Sequence, residues 1–226
     1  MHEARAVNAK TLGILMLDTR FPRLPGDVGH AASWTMPVRY FVVRGATPQR
    51  VVREGDAALL GPFIEAARTL AAEGAAAITT SCGFLVRWQH ELAAAVPVPL
   101  WTSALLVLPG LAVSGRPGVV TVDAASLGAA ELAAAGARGD IPIEGLAAGG
   151  ALQRTLLEDL STLDAAAAEA DTVAAALRLV ARHPEIDSLV LECTNLPPYA
   201  AAVQRATGRP VHHLMTLVHE RWKALP

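Results

Sequence analysis

The 226-residue chain is short of several things, and each shortage excludes something. It has only two cysteines, Cys82 and Cys193, far apart in sequence, so neither a disulfide scaffold nor a Cys-x-x-Cys metal knot can organise it. Charged residues make up 18% against 52% hydrophobic, with mean hydropathy +0.35, a balance too apolar for a disordered chain. The net charge is −2, without the basic excess that neutralises phosphates, so nucleic acid is not an expected partner. Neither Gly-x-Gly-x-x-Gly nor a Gly-Lys-Ser/Thr loop occurs, which leaves dinucleotide and nucleotide chemistry without support. The longest uncharged stretch, Leu92 to Gly115, is broken by Pro97, Pro99 and Pro109 and reads as helix end, strand and helix, so no membrane association is expected. Met1 to Lys10 carries charges throughout, and the apolar run behind it soon meets Asp18, which is not the pattern of a signal peptide. The expected location is the cytoplasm, where both cysteines stay as thiols.

What is present is a rhythm of short apolar runs and longer Ala- and Leu-rich segments, the pattern of parallel sheets covered by helices. The fold class is α/β. Strands are predicted at 12–17, 38–43, 75–80, 98–101, 119–122, 141–146, 189–192 and 211–214. Helices are predicted at 56–73, 85–95, 127–135, 164–183 and 199–207, with Gly74, Gly136 and Gly208 as stops. A repeat runs through this pattern. Cys82 and Cys193 each follow a strand and stand 111 positions apart, as do Pro99 and Pro210, while the runs at Gly13 and Gly118 correspond at an offset of 105. The chain is therefore expected to form two pseudosymmetric parallel-sheet α/β domains, residues 1–101 with 211–226 and residues 102–210. The active site is expected in the cleft between them.

Ligands of open parallel sheets bind beyond the carboxyl ends of the strands, where both thiols fall. Backbone N–H groups and helix N-termini there favour thiolate and can cradle a carboxylate. A single cysteine most often packs as a small hydrophobe, but two at matching positions point to chemistry. A redox pair, and a Cys hydrolase using His90, His212, His213 or His219, are alternatives; the hydrolase leaves one thiol without a role. Acid and base on opposite faces of one carbon use both.

Thr79-Thr80-Ser81-Cys82-Gly83 and Glu192-Cys193-Thr194-Asn195-Leu196-Pro197 resemble the two cysteine motifs of the cofactor-independent aspartate/glutamate racemase superfamily, and Leu17-Asp18-Thr19 resembles its Asp-Ser loop. The resemblance implies proton transfer beside a carboxylate with Cys82 and Cys193 catalytic, no cofactor and no metal. It places Asp18, Arg20, Thr80, Ser81, Gly83, Thr194 and Asn195 around a small carboxylate substrate, most plausibly an amino acid. Glutamate racemases have His after the second Cys-Thr, whereas this chain has Asn195, so a strict glutamate racemase is not expected. Related activities in the superfamily are hydantoin racemase, maleate cis-trans isomerase and arylmalonate decarboxylase. The last uses one cysteine, so two retained thiols favour a racemase or epimerase. A non-catalytic carboxylate-binding protein is the alternative from another class.

The Pro- and Gly-rich segment Arg20 to Trp34 follows the first strand and is expected to overhang the cleft, with Arg20 or Arg23 available to a carboxylate. His212 and His213 alternate on the last strand and cannot share a metal. Trp88, Trp101 and Trp222 read as packing residues, and the acids from Glu158 to Asp171 as a solvated face. The sequence does not fix the oligomeric state; a homodimer is the commonest assembly.

Overall fold

β1, Thr11–Leu17, is buried on both faces beyond its first residue, and this is why it carries an unbroken apolar run instead of an alternating one. The computed structural model that shows this describes residues 10–225; the N-terminal charges of Met1 to Ala9, Pro226 and the ends of the expected domain limits lie outside it. After β1 come β2 (Val38–Val43), α1 (Leu60–Ala72), β3 (Ala75–Thr80), α2 (Gln89–Ala94), β4 (Leu100–Trp101) and α3 (Leu108–Leu111). The second half runs β5 (Pro117–Thr121), α4 (Ala129–Ala134), β6 (Ile143–Gly145), α5 (Ala151–Leu157), α6 (Ala165–Arg182), β7 (Ser188–Leu191), α7 (Ala200–Thr207), β8 (Val211–His213) and α8 (Leu214–Lys223).

Two four-stranded sheets result, ordered β2-β1-β3-β4 and β6-β5-β7-β8, with every pairing parallel. The repeat read from sequence is thus a repeat of topology. Pro99 and Pro210 do the same work, each carbonyl accepting from the adjacent central strand, from Ile78 N at 2.8 Å and Leu189 N at 2.9 Å. Gly13 and Gly118 also match. A side chain on Gly13 would press on Leu70 of α1, and one on Gly118 on Leu179 of α6 and on Ile186, so both glycines let a helix close onto its sheet.

The expected division of the chain meets a double crossing. β8 pairs with β7 and so lies in the second sheet, not with residues 1–101. The helix after it returns to the first half: His219 stacks on Trp34 with ring centroids 5.4 Å apart, and Arg221 lies over the Trp101 ring. Three stretches left unassigned from sequence are helical. Residues 49–53 form a π-turn, and α5 and α8 follow Gly150 and His213. No helix among the described residues is long and apolar enough to cross a membrane.

Candidate active site

β3 and β7 deliver the two cysteines to one place. Each strand is tied to its neighbour one residue before the cysteine, Ser81 N donating to Leu15 O and Glu192 N to Val120 O, both at 2.9 Å. Each cysteine then opens a tight turn, with Leu85 N donating to Cys82 O at 3.2 Å and Leu196 N to Cys193 O at 3.1 Å. Both side chains are buried and unpaired as a disulfide, and both line one cavity of about 30 Å³. Its wall is mainly apolar, built by Leu17, Phe21, Val52, Phe84, Leu156 and Leu157. Its polar end is Ser81, Thr194 and Asn195 beside the thiols. The open depressions elsewhere on the surface include neither cysteine.

Burial governs the thiols. It pushes Cys82 up to about 12 and Cys193 well above the ordinary thiol value, and the Glu192 carboxyl raises both further. Opposing this, the backbone N–H of Phe84 faces Cys82 and that of Asn195 faces Cys193, again in matching positions. Cys193 also donates to Asn195 Oδ1 at 3.5 Å, and Asn195 Nδ2 donates to Asp27 Oδ2 at 2.5 Å. Asp27 is fixed in turn by Arg23 at 2.8 Å and by Gly29 N at 2.7 Å.

The segment between β1 and β2 does overhang the site. Phe21 lines the cavity, Val28 N donates to Thr194 O at 3.3 Å, and Gly26 turns against Pro198 with φ +101, where a side chain would meet the proline.

The site residues expected from sequence separate into three groups. Cys82, Cys193, Ser81, Gly83, Thr194 and Asn195 line the cavity. Thr80 stands behind it, its hydroxyl bonded to the carbonyls of Cys82 and Thr102, where it braces the turn instead of meeting substrate. Thr194 is part brace as well, donating to Ser81 O at 2.6 Å and so stitching the two halves together. Asp18 and Arg20 are not brought to the cavity. Asp18 accepts from Gly45 N and pairs with Arg44, and Arg20 is exposed and pairs with Asp159. Two residues separate Arg20 from Arg23, and the turn between them sends one out and the other in. Arg23 is the partly buried one of the two, over the Phe21 ring and on Asp27. It grips a protein carboxylate, not an open site.

Sequence reading missed Glu192. It is fully buried, and its Oε2 accepts from Thr121 Oγ1 at 2.7 Å while Oε1 has no partner among the described residues. Burial raises its carboxyl to about 7. The signal was available: a lone acid ending a buried apolar strand, directly before a cysteine. Among the described residues no group of three or more His, Cys, Asp or Glu could hold a metal ion.

No family model matches the chain. It is 30% identical over 224 residues to the dimethylsulfoniopropionate lyase of Durusdinium sp. clade D, covering 89% of this chain and 70% of that one. It is 29% identical over 228 residues to dimethylsulfoniopropionate lyase 7 of Emiliania huxleyi, spanning 91% of this chain but only 64% of the relative. Among solved structures, unliganded arylmalonate decarboxylase matches with TM-score 0.57 at 21% identity over 89% of this chain and 86% of that one. A glutamate racemase isoform of Bacillus anthracis matches with TM-score 0.56 at 15% identity over 94% and 82%. These structural matches share the two-sheet architecture, and the sequence matches narrow the assignment. The chain belongs to the family of the dimethylsulfoniopropionate lyases.

Proposed function

We propose that the protein is a lyase that removes the α-proton of a small carboxylate and expels a leaving group from the neighbouring carbon, with dimethylsulfoniopropionate as its substrate. The observation that carries this reading is the cavity itself, with two thiols and three polar side chains at one end of an otherwise apolar, partly aromatic wall. The polar end suits a carboxylate and the carbon beside it. The apolar end suits the methyl groups of a sulfonium, whose positive charge is attracted to the faces of Phe21 and Phe84. A thiolate takes the α-proton, the C–H electron pair becomes the second bond of acrylate, and the C–S pair leaves with sulfur as dimethyl sulfide. Ser81 Oγ already accepts from Leu17 N, leaving its own O–H to donate to the substrate carboxylate as charge builds there.

The family relationship supports elimination over the racemisation expected from sequence, and so do the surroundings of the thiols. A racemase works in both directions and calls for two acid-base groups in comparable settings. Here Cys82 sits between Ser81 and Gly83, and Cys193 between an acid and Thr194, with Asn195 and Asp27 behind it. Racemisation is kept as a second reading by one feature, the matching backbone N–H groups at the two sulfurs.

The test is to incubate purified protein with dimethylsulfoniopropionate in deuterated water. Dimethyl sulfide is followed by gas chromatography, and acrylate and the α-proton signal by NMR. Release of both products at a rate lost on Cys→Ala substitution is the expected result. Absence of product, together with α-proton exchange in an amino-acid panel, would establish the racemase instead.

A further inference from the structure

The two thiols share a third acidic neighbour that does not line the cavity. Glu192 ends β7, and its unpartnered Oε1 rests against Gly83, which does line it. A Cβ built on Gly83 would overlap both Oε1 and the main-chain oxygen of Glu192. Gly83 therefore has no side chain because the carboxyl occupies that space, and the carboxyl forms the layer directly behind the wall between Cys82 and Cys193.

The groups facing Glu192 are few. β5 offers the Thr121 hydroxyl, which does not titrate. The turn after Cys82 offers Arg87, but that guanidinium is already paired with Glu131 of α4 at 3.1 Å. On β8, His213 lies beside Leu191, the residue before Glu192, and burial holds it neutral down to about 4. Asp27 acts on Cys193 from the overhanging segment and is itself neutralised by Arg23. No cation is therefore dedicated to Glu192, and a charged carboxylate here would sit in a dry layer against two thiols.

We propose that Glu192 is a positioning residue that is protonated whenever the cavity holds a carboxylate, so that binding the anionic end of the substrate brings one proton into the protein. The proposal rests on the reading of the cavity as a carboxylate site. Like charges in a low-dielectric space cannot all be held at once. Burial already disfavours charge on both thiols, an incoming carboxylate beside a charged Glu192 would make two like charges in this layer, and Glu192 is the member of the group that can become neutral without losing its bond from Thr121. In the protonation step the O–H bond at Glu192 forms with a proton from solvent, and nothing is oxidised or reduced. The titration of Glu192 near neutral pH places the event in the working range.

The probe is propionate, a saturated carboxylate that cannot eliminate. Calorimetric titration of the full chain at pH 8, in two buffers of different ionisation enthalpy, counts protons taken up per propionate bound. Wild type is expected to take up close to one, with affinity falling about tenfold per pH unit above neutrality. Glu192→Gln is expected to take up none and to bind with an affinity independent of pH between 6 and 8. Thr121→Val removes the hydrogen bond that favours the charged carboxyl, and should move the onset of uptake to higher pH even if the glutamine variant does not fold. Binding by wild type without proton uptake, the same uptake in Glu192→Gln, or an unmoved onset in Thr121→Val would each overturn the proposal while leaving the carboxylate site standing. Failure of wild type to bind propionate at any pH from 6 to 8 would overturn both.

Discussion

Superposed in the mind, the two cysteine turns share a backbone and differ in every side chain around the sulfur. Ser81-Cys82-Gly83-Phe84 carries a single hydroxyl and no ionisable group besides the thiol, while Glu192-Cys193-Thr194-Asn195 is more polar and wired through Asn195 to Asp27 and Arg23. The duplicated main chain supplies the same strand end, the same turn and the same N–H to each thiol. The side chains around the two sulfurs are unequal. Symmetry of fold thus does not carry symmetry of surroundings, and the difference fits the proposed elimination, which begins on one face of its substrate.

The sharpest way to break this comparison is to remove the sulfurs one at a time. Cys82→Ala and Cys193→Ala are expected to differ in kcat by at least ~100-fold, because elimination needs one base and general-base catalysis is worth roughly 100- to 10,000-fold. Equal and total losses would restore the symmetric two-base scheme. Next in size is the residue after each cysteine. Gly83→Ala forces a methyl group into the Glu192 carboxyl and should cost about 1–3 kcal/mol by chemical denaturation. Thr194→Ala, its counterpart, loses the bond to Ser81 O and should cost about 1 kcal/mol.

The residue before each cysteine separates the halves by pH. The folded state holds the Glu192 proton up to about 7, whereas an unfolded glutamate releases it near 4.5. That contribution to stability is complete below 4.5 and is lost as pH rises through 7. The unfolding free energy of Glu192→Gln relative to wild type should therefore increase between pH 5 and pH 8, whereas Ser81→Ala should show no such trend. The smallest effect is expected at Arg20. Its ion pair with Asp159 is exposed, so Arg20→Ala should change stability by under about 1 kcal/mol and leave turnover unaltered. A large loss of turnover would return Arg20 to the site.

The sheet was legible because a buried parallel strand leaves an unbroken apolar run. The predicted ranges 38–43 and 75–80 coincide with β2 and β3. Short edge pieces were less so: β4 keeps two residues, because Pro97 and Pro99 remove donors from its approach. α5 and α8 went unread, and α8 packs its buried face on the opposite half, a partner that no local window contains. Within the site, Cys82 and Cys193 were marked by scarcity and position. Arg20, Arg23 and Asp18 could not be ranked, since the course of an irregular loop decides which of them turns inward. Glu192 was passed over because an acid ending a strand is ordinarily a solvated one, although the apolar run before it was a signal; its burial, its bond from Thr121 and its contact with Gly83 from the other half of the chain show otherwise.

The cavity's small size has a mechanical corollary. The room in which a water-sized molecule could move inside it is about 30 Å³, so a substrate with a three-carbon skeleton meets its walls on every side. Two hydrogen bonds hold the Pro- and Gly-rich span over it, from Val28 N to Thr194 O and from Asn195 Nδ2 to Asp27. Because the second of those links also steadies the Cys193 sulfur through Asn195, any displacement of the span would be felt at that thiol.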